Sequence, residues 1–244
     1  MINHYIVKLK KYLNPIVWKI KYLFSKNVYL SFGENCLTDN ILSRHNIKSF
    51  TTPFSHGRSN IEYILQLEKD NYKDFLNLKY LTYEEISEQK VPILKKYNSL
   101  INEYNALHMN GFEFTHHDVI SDGEIRLKIE ERINKLHSLI GKKKIVIFYH
   151  HRLNKSTKKD LLLSHLNELK NLYSTKKIKA EIICFTQNIV HFLDERNLQY
   201  SMNNGIHFFE FNTLNEWSGT DNNLFWALCD DDLILRMIKF AKKL

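Results

Sequence analysis

The run Lys144–Tyr149, KIVIFY, constrains the fold more than any other stretch of the chain. It is short, β-branched, apolar and closed by polar residues, so it predicts a buried strand. A helical pattern, Ile125–Leu139, precedes it. Another, Thr157–Tyr173, follows it, with Leu161, Leu162, Leu166, Leu169 and Leu172 on one side. A second apolar run then appears at Ala180–Phe185 (AEIICF). Alternation of this kind predicts an α/β fold, a mainly parallel sheet with helices on both faces.

Four more segments read as strands: Asn27–Phe32, Ser49–Thr52, Gly111–Thr115 and Ile206–Phe211. Helical patterns cover Leu37–His45, Asn60–Lys69, Tyr83–Leu107, Ile189–Arg196 and Leu224–Lys243. At 244 residues, with 7 Gly, 3 Pro and no visible repeat, the chain suits one domain with an appendage. The boundaries expected are a basic arm at residues 1–26 and a single α/β domain at 27–244.

Charge marks off the arm. Lys+Arg 35 against Asp+Glu 27 gives +8, which favours an anionic partner. The first acid is Glu34, whereas Lys8, Lys10, Lys11, Lys19, Lys21 and Lys26 precede it among apolar residues at helical spacing. Lysines interrupt the segment too often for a signal peptide or a spanning helix. A basic amphipathic helix on an anionic membrane is one reading, and a helix packed on the domain with a solvated lysine face is the other. Cys36, Cys184 and Cys229 are widely spaced, and with no export signal they are expected as reduced thiols in the cytoplasm.

In an open parallel sheet, ligands bind at the carboxyl ends of the strands. Those ends carry Gly33-Glu34-Asn35-Cys36, His116-His117-Asp118, His150-His151-Arg152 and Thr186-Gln187-Asn188. Cys36 falls where the first strand turns into the first helix. A helix N-terminus favours thiolate and offers N–H groups to an oxyanion, and Asn35 would add a donor. A buried structural cysteine is the plainer alternative. A nucleophilic thiol needs a base. His116 is preferred to His117 by strand parity, with Asp118 to orient it and His56, in the loop Pro53–Arg58, as a second candidate.

His151, Arg152 and Lys155 open a basic cluster at a helix start, suited to a phosphate. No GxGxxG, P-loop or GxSxG is present, nor any zinc-finger, helix-turn-helix or RNP pattern, so neither a nucleotide fold of those types nor nucleic-acid binding is expected. With no CxxC, HExxH or HxH spacing, no metal is expected either.

These residues resemble a known bacterial family. Gly33-Glu34-Asn35-Cys36 is similar to the G-x-N-C motif of the domain labelled "putative papain-like cysteine peptidase". Pro53-Phe54-Ser55-His56 resembles its Pro-Phe-Asp-Trp, with Ser55 and His56 as departures. Phe114-Thr115-His116 resembles its Phe-x-His, and the strand ending at Arg152 its Phe-Val-Arg strand. Trp217, Gly219, Asp221 and Trp226 resemble its closing pattern. The resemblance spans roughly residues 27–230 and implies a Cys–His site.

G-x-N-C also resembles a capsule-biosynthesis group that binds coenzyme A and is thought to transfer acetyl groups. What this implies is an O-acyltransferase, acetyl-CoA its donor and a cell-surface polysaccharide glycan its acceptor, with Gly33, His151, Arg152 and Lys155 at the coenzyme A. A thiol hydrolase and a non-catalytic assembly protein are the alternatives. Residues 1–26 would hold the enzyme at the inner face of the membrane.

Overall fold

In the computed structural model the described residues are 25–86, 88–97, 111–153, 157–219 and 225–244. Most of the expected arm lies outside them. Strands β1 (Asn27–Gly33), β5 (Lys144–His150), β6 (Glu181–Ile189), β7 (Asn197–Asn203) and β8 (Ile206–Thr213) form one five-stranded sheet, in the order β1-β5-β6-β8-β7. All neighbours are parallel except β7, which pairs antiparallel with β8 at the edge.

Helices cover both faces, as the apolar runs require. On one face, Ile145, Ile147 and Tyr149 of β5 pack with α2 (Ile61–Lys69), α3 (Gly123–His137) and α4 (Lys159–Leu172). On the other, Val146 and Phe148 pack with α1 (Leu37–Arg44) and α5 (Asp231–Ala241). Successive β5 side chains thus alternate between two cores, as strand geometry demands. Free Cys184 is buried in the first core, where burial raises its thiol pKa.

Several segments depart from expectation. Tyr83–Leu107 is not one helix. Its described part begins in β2 (Leu81–Ile86), continues as β3 (Gln89–Leu94) and ends in a 3-10 turn at Lys95–Tyr97. Pro92 lies opposite Tyr83 in that antiparallel pair, where its missing N–H does not break a helix. Gly111–Thr115 contributes only β4 (Phe112–Glu113), and it pairs with β3 in a second, three-stranded sheet. His116 therefore does not end a strand of the main sheet. Ser49–Thr52 is not a strand, and Ile189–Arg196 holds the end of β6 and a 3-10 turn rather than a helix.

Candidate active site

β1 and β5 run in step until Gly33 meets His150. Gly33 has φ +140, and a Cβ there would lie 3.1 Å from both the His150 N and O and 3.3 Å from Thr38 Oγ1. The close approach of β5 thus accounts for this glycine, and no ligand contact is needed to explain it. The chain then turns under β5. Buried Glu34 accepts the Arg152 N–H through Oε2 at 3.1 Å, and its Oε1 lies 3.1 Å from His151 Nδ1. Asn35 Oδ1 accepts the Leu37 N–H at 3.0 Å, closing an Asx turn that starts α1. Cys36 is the N-cap residue, and its carbonyl accepts the Asn40 N–H at 3.0 Å.

The histidines arrive from the small sheet. Arg58 and Glu113 exchange backbone hydrogen bonds at 3.0 Å, which stitches the His56 loop to β4. Thr115 Oγ1 donates to the His56 carbonyl at 3.1 Å. The turn that follows sets His116 Nε2 3.3 Å from Cys36 Sγ, within hydrogen-bond reach for sulfur. The His56 ring stands edge-on to both His116 and His117, at 6.0 and 5.9 Å. His117 Nε2 instead lies 3.5 Å from Arg132 Nη1 of α3, so His116 is the partner of the thiol.

Asp118 does not orient either ring. It accepts from Tyr83 Oη at 2.7 and 3.0 Å and caps its own turn through the Ile120 and Ser121 N–H groups. The carboxylate near the thiol is Asp39, three residues beyond Cys36 and one helical turn away. It accepts from Ser31 Oγ at 2.8 Å and from Lys48 Nζ at 2.7 Å, and His56 Nε2 lies 4.0 Å off. Ser31 Oγ is also 2.8 Å from Ser55 Oγ. The i, i+3 spacing of Asp39 from Cys36 is visible in the sequence, but its partner Lys48 sits beyond the helix and carries no motif.

This setting reverses the expected thiol chemistry. Burial, and then the Asp39 charge, push the Cys36 thiol up to about 11, although Arg58 and Lys48 oppose the rise. The resting group is a thiol, not a thiolate. Burial also pushes His56 down to about 4, against the pull of Asp39. His117 is lowered by burial and then by Arg132. The proton therefore stays on sulfur until a base removes it.

At the carboxyl edge of the sheet opens a cavity of about 260 Å³ that neither Cys36 nor His116 lines. Asn35 and Leu37, the neighbours of Cys36 in the chain, line one side of it. Arg152, Glu216, Trp217 and Trp226 are among the residues that line the rest, with His150 and Gln187. Of the residues expected at coenzyme A, Arg152 alone lines it. His151 is buried against Glu34, so its ring serves the Glu34 turn. Lys155 lies outside the described residues. No group of three His, Cys, Asp or Glu among the described residues is arranged to hold a metal.

A thiol and an imidazole in contact at the carboxyl edge of a parallel sheet define a candidate cysteine-dependent site. The chain belongs to the family described as "Putative papain-like cysteine peptidase (DUF1796)", whose model matches residues 27–192. The matched stretch includes Cys36, His116 and Arg152 and stops before Trp217 and Trp226. No curated protein and no solved structure matches the chain. No helix among the described residues is long and apolar enough to cross a membrane.

Proposed function

We infer that the protein transfers acyl groups through Cys36. The carrying observation is the 3.3 Å approach of His116 Nε2 to the Cys36 sulfur. Because the thiol is protonated at rest, His116 acts as general base at the moment of attack. Cys36 Sγ adds to the donor carbonyl as its proton passes to His116. The donor C–S bond then breaks, and the leaving thiolate takes that proton. An acyl thioester on Cys36 remains. An acceptor hydroxyl next loses its proton to His116 and attacks the acyl carbon, and Cys36 leaves with the proton restored. Asn35, its amide fixed by the Leu37 N–H, is the side chain assigned to the oxyanion.

The finer reading is O-acetyl transfer from acetyl-CoA to a glycan hydroxyl of a cell-surface polysaccharide. Arg152 supports it as a cation for the donor's phosphates, and the cavity next to Asn35 and Leu37 offers the acceptor aromatic and polar walls. Such a cavity suits one small group, not a whole nucleotide. Hydrolysis is the second reading: His116 is exposed, so water reaches the base. The family's peptidase label points the same way.

The test is intact mass after incubation with acetyl-CoA. An acetyl adduct that disappears in Cys36→Ala and forms about 10²- to 10⁴-fold more slowly in His116→Ala supports the transferase. Turnover of simple thioesters and esters with no sugar acceptor favours the hydrolase. Full activity in Cys36→Ala overturns both.

A further inference from the structure

The amino ends of the central strands, opposite the thiol, gather lysines from separate parts of the chain. Lys26 leads into β1, Lys142 and Lys143 into β5, and Lys176, Lys177 and Lys179 into β6. The pairings Asn27↔Lys144 and Val146↔Glu181 bring these approaches to one edge. Ser25, Lys26, Lys142, Lys143 and Lys144 share a hollow there with Ile178. Lys143 Nζ donates to the Ser25 carbonyl at 2.7 Å and Lys144 Nζ to the Leu244 carbonyl at 2.5 Å, so residues 242–244, with two further lysines, reach the same edge.

Positive charge predominates at this edge. Residues 25–26, 138–143, 173–180 and 242–244 contain no Asp or Glu. Glu181 of β6 accepts from Lys170 Nζ at 2.9 Å and lies 3.7 Å from Lys144 Nζ, so its charge is already matched. Lys26, Lys142, Lys176, Lys177 and Lys179 are exposed. The acid-free stretch at residues 1–24 also joins the domain here, through Ser25, and carries lysines among apolar residues.

We propose that this lysine edge docks the protein on an anionic phospholipid surface. Lysines near such a surface are attracted individually, within about a Debye length of it. A basic patch alone binds weakly, and apolar residues beside it supply the second signal that stable attachment needs. The lysines occur at this edge, and apolar residues occur in the sequence of residues 1–24, which leads to it. The compact ammonium groups form point charges suited to phosphate headgroups. Docking has a consequence for access. The seven residues of β5 put about 20 Å between the lysine edge and the carboxyl edge. A docked molecule therefore presents Cys36 to the aqueous side and takes its substrates from there.

The experiment is sedimentation of the full chain with phosphatidylcholine vesicles, with and without phosphatidylglycerol. Binding is expected only to the anionic vesicles, falling as salt rises. The variant Lys176→Gln/Lys177→Gln/Lys179→Gln should weaken partitioning by about fivefold for each lysine. Alkylation of Cys36 should be unchanged in it, which confirms the fold. Equal binding to neutral vesicles, no binding, stronger binding to an oligonucleotide, or an unaffected triple variant would each overturn the proposal. The last result would assign the attraction to residues 1–24 alone.

Discussion

Asp39 Oδ2 accepts from Lys48 Nζ at 2.7 Å, so the carboxylate nearest the thiol is held by a cation from outside its own helix. The pair acts on Cys36 with opposite signs. Asp39 raises the thiol pKa and Lys48 lowers it. Lys48→Gln should therefore slow Cys36 alkylation at fixed pH, and Asp39→Asn should speed it. The small thiolate fraction changes tenfold for each whole number by which the pKa moves, so effects of about three- to tenfold are expected. Both are read from pH profiles of iodoacetamide labelling, in which wild-type labelling keeps rising toward about 11. Rate changes in the same direction for both variants would remove the electrostatic account.

His56 makes stability depend on pH. Burial lowers its pKa from the ordinary 6.5 to about 4, so between these values the unfolded chain binds a proton that the folded one refuses. The contribution is complete above about 6.5 and is lost as pH falls toward 4. The side chain is 35% exposed, and solvent screening holds the effect to about 1 kcal/mol. Asp39 favours the charged ring, whereas Lys48, His117 and Arg132 oppose it. Urea unfolding at pH 7 and pH 5 should show a smaller loss in His56→Gln than in wild type.

Gly33 predicts a backbone penalty. With φ +140 and β5 backbone atoms 3.1 Å from any added Cβ, Gly33→Ala forces β1 and β5 apart or leaves a strained residue. A cost of about 1–3 kcal/mol follows. In a domain of this size that is a fall of about 2–4 °C in melting midpoint for each kcal/mol. Because Asn35 and Cys36 follow directly, acylation should fall further than stability alone explains. Calorimetry with intact-mass labelling separates the two losses.

The readable part of this chain is the part dictated by local pattern. KIVIFY and AEIICF define a buried parallel core, and Gly33 with Asn35 marks a turn that puts Cys36 at a helix start. Parity prefers His116, and the structure sets His116 beside Cys36, yet it does so from a turn after β4 of the second sheet, a placement that only pairing partners reveal. Two local signals carry more than the strand and helix patterns took from them. Asn204-Gly205, with φ 49 and 76, forms the tight turn between β7 and β8, and Asn-Gly is a strong hairpin signal. Pro92 argues against a helix through residues 83–107. The burial that keeps Cys36 protonated arises from residues distant in sequence, and no spacing encodes it. His151 reads as a ligand in the sequence because its buried partner, Glu34, is more than a hundred residues earlier.

Arg44 sustains the aromatic wall of the cavity. Trp226 and Ala227 both adopt left-handed backbone, φ 44 and 64, which costs about 1–2 kcal/mol per residue. Arg44 Nη1 donates to the Trp226 carbonyl at 2.7 Å and Nη2 to the Ala227 carbonyl at 3.4 Å. Its Nε donates to Asp231 Oδ1 at 2.9 Å, locking the fork to the start of α5. Lysine keeps the charge but cannot reach three acceptors at once. Arg44→Lys should therefore release the strained pair, lower stability by about 2 kcal/mol and free the Trp226 ring from Gly219, whose added Cβ would meet that ring at 3.0 Å. Cys36 and His116 stand apart from this clasp, so labelling of the thiol should keep its wild-type rate while acceptor-dependent turnover falls through a raised KM. A loss of thiol labelling in Arg44→Lys would mean that the clasp supports the nucleophile itself rather than the wall beside it.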